Sequence, residues 1–161
     1  MENIRIATAD DIGRIAEILV FTKRVKFRSI FNNDEFLFNH LQVTKVVEEI
    51  NRRTVTNTLV YDDGIIKGIL HYDNKSLEFN EICELYVDVC FERNGIGRKL
   101  VEYFEGQCKE RSIHCVELWS IEKNVVANTF YETLGYAKTG AKQLIEGTNE
   151  YQIRYRKNLS V

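Results

Sequence analysis

Apolar and polar positions alternate along this chain with two different periods, and the switches between them outline its elements. Asn3–Ala7 has the two-residue period of a short strand. Thr8 and Asp11 then stand at capping-box spacing ahead of Ile12, Ile15, Ala16, Ile18 and Leu19, which recur as one face of a helix. From Phe21 to Asn39 the pattern is mixed. Phe27, Ile30, Phe31, Phe36, Leu37 and Phe38 cluster around an Asn32-Asn33-Asp34 break, which predicts an aromatic-rich loop packed on the core or lining a pocket. A second helix is expected from about Val43 to Arg53, with Val46, Val47 and Ile50 inward. Three strands follow: Thr58–Tyr61, Ile65–Tyr72 and one that starts near Leu77 or Glu81. The turn signals Asp62-Asp63-Gly64 and Asp73-Asn74-Lys75 between them predict an antiparallel meander.

The third of these strands is the one the chain is organised around. Ile82, Leu85, Val87, Val89 and Phe91, with Tyr86 among them, predict a largely buried strand that Gly95 and Gly97 interrupt. Beyond the break Ile96, Leu100, Val101, Phe104 and Cys108 share a helical face, and Arg98, Lys99, Glu102, Glu105 and Lys109 take the opposite one. A helix therefore starts near Gly97. Its first turn offers unpaired N–H groups and the positive end of the helix dipole, so this turn is a candidate anion site. Tight packing explains a lone Gly-x-Gly turn equally well. A dinucleotide fingerprint would need a third glycine at position 100, where the chain has Leu100. The remaining pattern predicts a strand at His114–Ile121, a helix at Asn124–Leu134 stopped by Gly135, and final strands near Tyr136–Ile145 and Glu150–Lys157.

Composition narrows the function classes. At 161 residues, residues 1–161 are expected to form a single domain. A net charge of −2 gives no electrostatic footprint for nucleic acid, and no apolar run is long enough for a bilayer. The opening residues lack the order of a secretory signal, so a cytoplasmic protein is expected. Cys83, Cys90, Cys108 and Cys115 have no C-x-x-C spacing and read as buried thiols. His40, His71 and His114 are scattered, and no metal is expected.

Two motifs taken together are specific. Glu92–Gly97 reads E-x-x-G-x-G, and Asn124–Tyr136 reads N-x-x-A-x-x-F-Y-x-x-x-G-Y. The pair resembles the Gcn5-related N-acetyltransferase (GNAT) family, whose members move an acetyl group from acetyl-coenzyme A to an amine. The resemblance is closest from Glu81 to Tyr136 and extends in element order over the rest of the chain. It implies an α/β fold with a mixed, largely antiparallel sheet of about seven strands, flanked by four helices, whose fourth and fifth strands splay apart. One departure stands out: the family usually has Gln or Arg first in the phosphate loop, where this chain has Glu92, with Val89 where Pro is common. Glu92 is expected to point to solvent while backbone N–H groups, with Arg93 or Arg98, hold the anion.

The resemblance also implies roles. Arg93, Asn94, Gly95, Ile96, Gly97 and Arg98 would cradle the pyrophosphate of acetyl-CoA, and the backbone of Leu85, Tyr86 and Val87 would lie along the pantetheine arm, as an added strand would. Asn124 would touch a pantetheine amide, and as a helix N-cap it also has a purely structural explanation. Glu81 sits where some members keep the carboxylate that takes the amine's proton; Glu84 competes for that role from the opposite face of the strand. Tyr131 matches the tyrosine that protonates the departing sulfur, and it also lies in a packing stripe with Ala127, Phe130 and Leu134. The Val87 N–H is a candidate oxyanion donor. Cys83 has no recognisable histidine partner to make it a nucleophile. Phe27, Arg28 and Phe31, with the last hairpin around Glu146–Asn149, are candidates for the acceptor pocket. The partner expected is a small-molecule or peptide amine, with a homodimer the commonest assembly. The alternative is a non-catalytic acyl-CoA-binding or regulatory module of the same fold.

Overall fold

The computed structural model describes residues 3–52 and 55–160. Among them run seven strands, β1 Ile4–Ile6, β2 Thr58–Asp62, β3 Ile66–Asn74, β4 Phe79–Val87, β5 Cys115–Ile121, β6 Ala137–Leu144 and β7 Tyr151–Asn158. Four α-helices accompany them: α1 Ile12–Phe31, α2 Val43–Arg52, α3 Ile96–Glu110 and α4 Val125–Thr133. The strands form one sheet in the order β1-β2-β3-β4-β5-β7-β6. β1 with β2, β2 with β3, β5 with β7 and β6 with β7 pair antiparallel; β4 and β5 run parallel. The parallel ladder joins Phe79–Ile82 to Cys115–Leu118, and β4 continues beyond its last paired residue to Val87.

Contacts cluster the chain into two compact units. The first takes in residues up to His71 together with Glu84–Tyr103, and the second Tyr72–Cys83 with everything from Phe104 onward. In the first unit Ile12, Ile15, Ala16, Leu19 and Val20 of α1 pack with Val46 and Ile50 of α2 against Val60, Ile66 and Ile69 of the sheet. The Thr8 N–H donates to Asp11 Oδ2 at 2.7 Å, which closes the start of α1 as the capping-box spacing predicts. Ile96, Leu100 and Val101 of α3 are buried here too. The second unit has its own core of Phe104 and Cys108 from α3, Val116 and Leu118 from β5, Tyr131, and Tyr155 from β7.

Several expectations need correction. Phe21–Asn39 is mostly helix: α1 runs on to Phe31 and ends at Asn32 in the left-handed conformation, with φ 47°. The inward stripe of Ile12, Ala16, Val20, Lys23, Phe27 and Phe31 keeps helical spacing, and the charge on Lys23 masks it in the sequence. Phe36–His40 then forms a single wide helical turn. α2 ends among the described residues at Arg52; Arg53 lies outside them. β4 is less buried than its apolar run predicts. Only Asn80 and Ile82 are fully covered; from Val89 to Phe91 the chain makes a short 3-10 turn in place of strand. Cys108 and Cys115 are buried as expected, but Cys83, on the outward face of β4, and Cys90, in the turn that follows it, are exposed. Glu105, assigned by its charge to the polar face of α3, is buried; it accepts from Tyr136 Oη at 2.9 Å and Lys157 Nζ at 2.6 Å. Partners on β7 and the α4–β6 connection make that burial tolerable.

Candidate active site

In the first unit the end of β4, the loop and the start of α3 form one construction. Arg93 and Gly95 both adopt positive φ, 61° and 74°, and this turns the chain from Phe91 into α3. A side chain at Gly95 would meet nothing within 4 Å, so its glycine answers to conformation and leaves open space above the loop. Helical bonding starts with Lys99 N–H donating to Gly95 O at 3.0 Å; the amides of Ile96, Gly97 and Arg98 precede it. Arg93 and Arg98 are exposed, and the Asn94 side chain donates to Phe91 O at 3.2 Å. Glu92 does not simply point to solvent. Its carboxylate meets Lys26 Nζ of α1 at 2.7 Å, so the unusual negative charge arrives with its own counter-ion.

The strand edge beside this loop is fixed by four hydrogen bonds that no sequence motif announces. Asp88 Oδ1 accepts from Cys90 N–H at 2.8 Å, and its Oδ2 meets Arg14 Nη2 at 2.6 Å. Arg14 also donates to Ile66 O, tying α1 to β3. Cys90 N–H and the Arg14 guanidinium hold the Asp88 carboxyl below the usual carboxylate range against the opposing effect of burial, which is the largest single influence. Thr22 Oγ1 donates to Val87 O at 3.3 Å, so α1 grips the backbone of the expected pantetheine strand. A side chain at Gly68 would come within 2.9 Å of Ile96 Cγ2 and 3.3 Å of Tyr86 O, so only glycine lets α3 begin this close to β3 and β4. Glu84 lies 3.7 Å from Lys23 Nζ, and the same ammonium sits 5.4 Å above the Tyr86 ring. Tyr86, Phe27, Phe31 and Phe36 continue as an edge-on aromatic series. Burial, and then the Glu84 carboxylate, push the Tyr86 hydroxyl upward. Arg28 forks onto Asp34 at 2.9 Å through both Nε and Nη2, closing the end of α1.

The second unit holds the two residues assigned to proton transfer. Glu81 lies 3.7 Å from Lys75 Nζ, and Lys75 also meets Asp73 at 2.9 Å. The Cys83 thiol is within 4.0 Å of Glu81 Oε1; the atoms packed round it, with Asp73 and Glu81, push it up to about 12. At neutral pH it is protonated, a poor nucleophile. Tyr131 is buried among Phe130, Tyr136 and Tyr155, with ring centroids 5.3, 5.9 and 6.2 Å away. Asn124 caps α4, its Oδ1 accepting from Ala127 N–H at 3.2 Å. Asn128, which no sequence motif singled out, donates to Ile121 O and Glu122 O through Nδ2 and keeps a buried Oδ1 with no partner among the described residues. Among the described residues no group of three or more His, Cys, Asp or Glu side chains could hold a metal.

The family model for the acetyltransferase (GNAT) domain matches residues 24–156. The chain belongs to the GNAT acetyltransferase family. Solved structures agree at the level of fold. The PaiA N-acetyltransferase of Thermoplasma acidophilum, in complex with coenzyme A, superposes with a TM-score of 0.72 at 18% identity, covering 94% of this chain and 96% of that one. YncA of Salmonella typhimurium, solved with acetyl-CoA, gives 0.71 at 16% identity over 98% and 94%. A ribosomal-protein-alanine N-acetyltransferase of Brucella melitensis gives 0.70 at 21% identity over 97% and 99%. A Bacillus subtilis protein of uncharacterised function, YxbD, is 33% identical over 79 residues; the match spans 48% of this chain and about half, 47%, of that relative.

Proposed function

We propose that this GNAT protein is an acetyl-CoA-dependent N-acetyltransferase in which a primary amine attacks the acetyl group directly within a ternary complex. The observation that carries the reading is the phosphate loop: two positive-φ residues opening onto the first, unbonded amides of α3, with Glu92 neutralised by Lys26. These residues fit an anionic donor. Ile96, Gly97 and Arg98 would hold its pyrophosphate by their N–H groups, and Leu85–Val87 its amide arm. Acetyl-CoA supplies the acetyl thioester.

This chain's residues handle protons and charge. Glu81 accepts a proton from the ammonium, freeing the lone pair that forms the new C–N bond. The Val87 N–H donates to the carbonyl oxygen while it carries negative charge. As the C–S bond breaks, Tyr131 gives its hydroxyl proton to the sulfur and regains one from solvent, the new acetamide nitrogen releases its second proton to solvent, and the proton taken by Glu81 leaves to solvent as the one net proton produced. The products are an acetamide and free coenzyme A. Calorimetric titration with acetyl-CoA, with NADH as control, tests the donor assignment. Saturable binding at about micromolar Kd to acetyl-CoA alone is expected. Heat from neither would return the loop to a packing turn, and heat from NADH alone would replace the donor.

A further inference from the structure

The second unit has an open sheet face whose charge is polarised, and its polarity names an acceptor class. Register places Glu81 beside Glu117, Glu117 beside Arg156, and Trp119 beside Arg154, so these side chains share one face of β4, β5 and β7. The opposite face carries Val116, Leu118 and Tyr155 in the core. Glu117 is buried, only 3% exposed, and both its oxygens are taken: Oε1 by Arg156 Nε at 2.7 Å, and Oε2 by Arg154 Nη2. Two guanidiniums against one carboxylate leave one positive charge in excess. Arg154 rests over the Trp119 ring at 5.6 Å, and its Nε is buried with no partner among the described residues. Glu117 takes Nη2 and burial closes Nε, so the remaining N–H donors of this side chain, which is 30% exposed, are the ones open to a ligand carboxylate. At the β4 side the Glu81 carboxylate lies 3.7 Å from Lys75 Nζ, in the turn after β3.

We propose, resting on the acetyltransferase reading above, that this face binds a zwitterionic acceptor, an amino acid or close analogue, with its carboxylate on Arg154 and its amine toward Glu81. Arg154 lies on β7 and Glu81 on β4, two strand spacings across and two residues along, roughly 12 Å apart at the backbone. Side chains reaching inward from both ends shorten that gap to the length of one small molecule. A polyamine or other polycation would meet the excess positive charge of Arg154 and Arg156 and be disfavoured. Arg154 is then a specificity-determining residue, and Glu117 positions it.

Trp119 is the chain's single tryptophan, so its fluorescence reports this face directly, without turnover. Purified protein is titrated with non-aromatic L-amino acids, with the amide of each, and with spermidine. At least one amino acid is expected to change Trp119 emission saturably, with its amide about tenfold weaker or worse and spermidine without effect. R154Q should abolish the discrimination between acid and amide, and R154K should keep part of it. R154Q leaves Glu117 paired to Arg156; if it does not fold by circular dichroism, R154K is read on the same ratio. Equal response to acid and amide, tighter response to spermidine, no saturable change from any amino acid, or an unchanged ratio in the variant overturns the proposal. The donor assignment fails separately: a zwitterion-specific response in a protein that does not bind acetyl-CoA would sink the acetyltransferase reading alone.

Discussion

At the scale of single residues the account rests on a few polar atoms held by apolar neighbours. Tyr131 packs its ring against three aromatic side chains, so Y131F keeps that packing and removes the hydroxyl. Its kcat should fall about a hundredfold or more. A fall of less than about threefold would remove Tyr131 from the mechanism. A second prediction concerns acid stability. Arg5 holds Asp11 at 2.7 Å and lowers its carboxyl from 3.8 to about 2, opposing burial and helped by the Thr8 N–H. A carboxyl depressed in the folded state stabilises the fold above its unfolded pKa, and that contribution fades as pH falls from about 4 toward 2. D11N should therefore be less stable than wild type at neutral pH, and the difference should shrink below pH 4 in urea titrations. Residues such as Glu81, Asn124 and Tyr131 were nominated from the sequence because a motif spacing marks them. Glu117, Arg154 and Asn128 were not, because only strand register and a tertiary turn give them their partners.

At the scale of elements, spacing was a good guide wherever apolar residues filled a whole stripe. Every apolar position assigned to the inner face of α3 is buried, and the helix begins within a residue of where the glycines place it. α1 was cut short because a lysine stands in its stripe, and β4 was read as buried throughout although its last residues leave the β5 ladder. Gly68 shows what pattern alone misses: nothing in a strand sequence announces that a helix start will lie against it. G68A should cost about 1–3 kcal/mol in urea unfolding and weaken acetyl-CoA, because the backbone carbonyl of Tyr86 cannot yield as a side-chain end can. Unchanged stability would mean the helix start shifts freely. The Lys26–Glu92 pair joins residues far apart in sequence, so the loop's odd carboxylate looked like a defect until its counter-ion was found. K26M should weaken acetyl-CoA binding about three- to tenfold, and the double variant K26M/E92Q should recover it. No recovery would mean that Lys26 touches the donor itself.

Across the whole molecule, strand order and the parallel β4–β5 pair match the resemblance drawn from two motifs, and the GNAT family model covers most of the chain. Among the described residues no helix is long and apolar enough to cross a membrane. The proposed donor loop could be nominated from sequence because a backbone cradle for phosphate needs glycines at fixed spacing, which a sequence records. The proposed acceptor face could not, since it is defined by charges that register brings together from three strands. Transfer itself is the central claim, and the most direct test is steady-state release of coenzyme A thiol from acetyl-CoA with an amino acid acceptor, the product identified by mass spectrometry. Varying both substrates should give an acetylated amine and intersecting double-reciprocal lines, with E81Q and Y131F each about a hundredfold slower. Parallel lines would point to an acetyl-enzyme and contradict direct attack; no acetylated amine from a protein that binds acetyl-CoA would contradict catalysis.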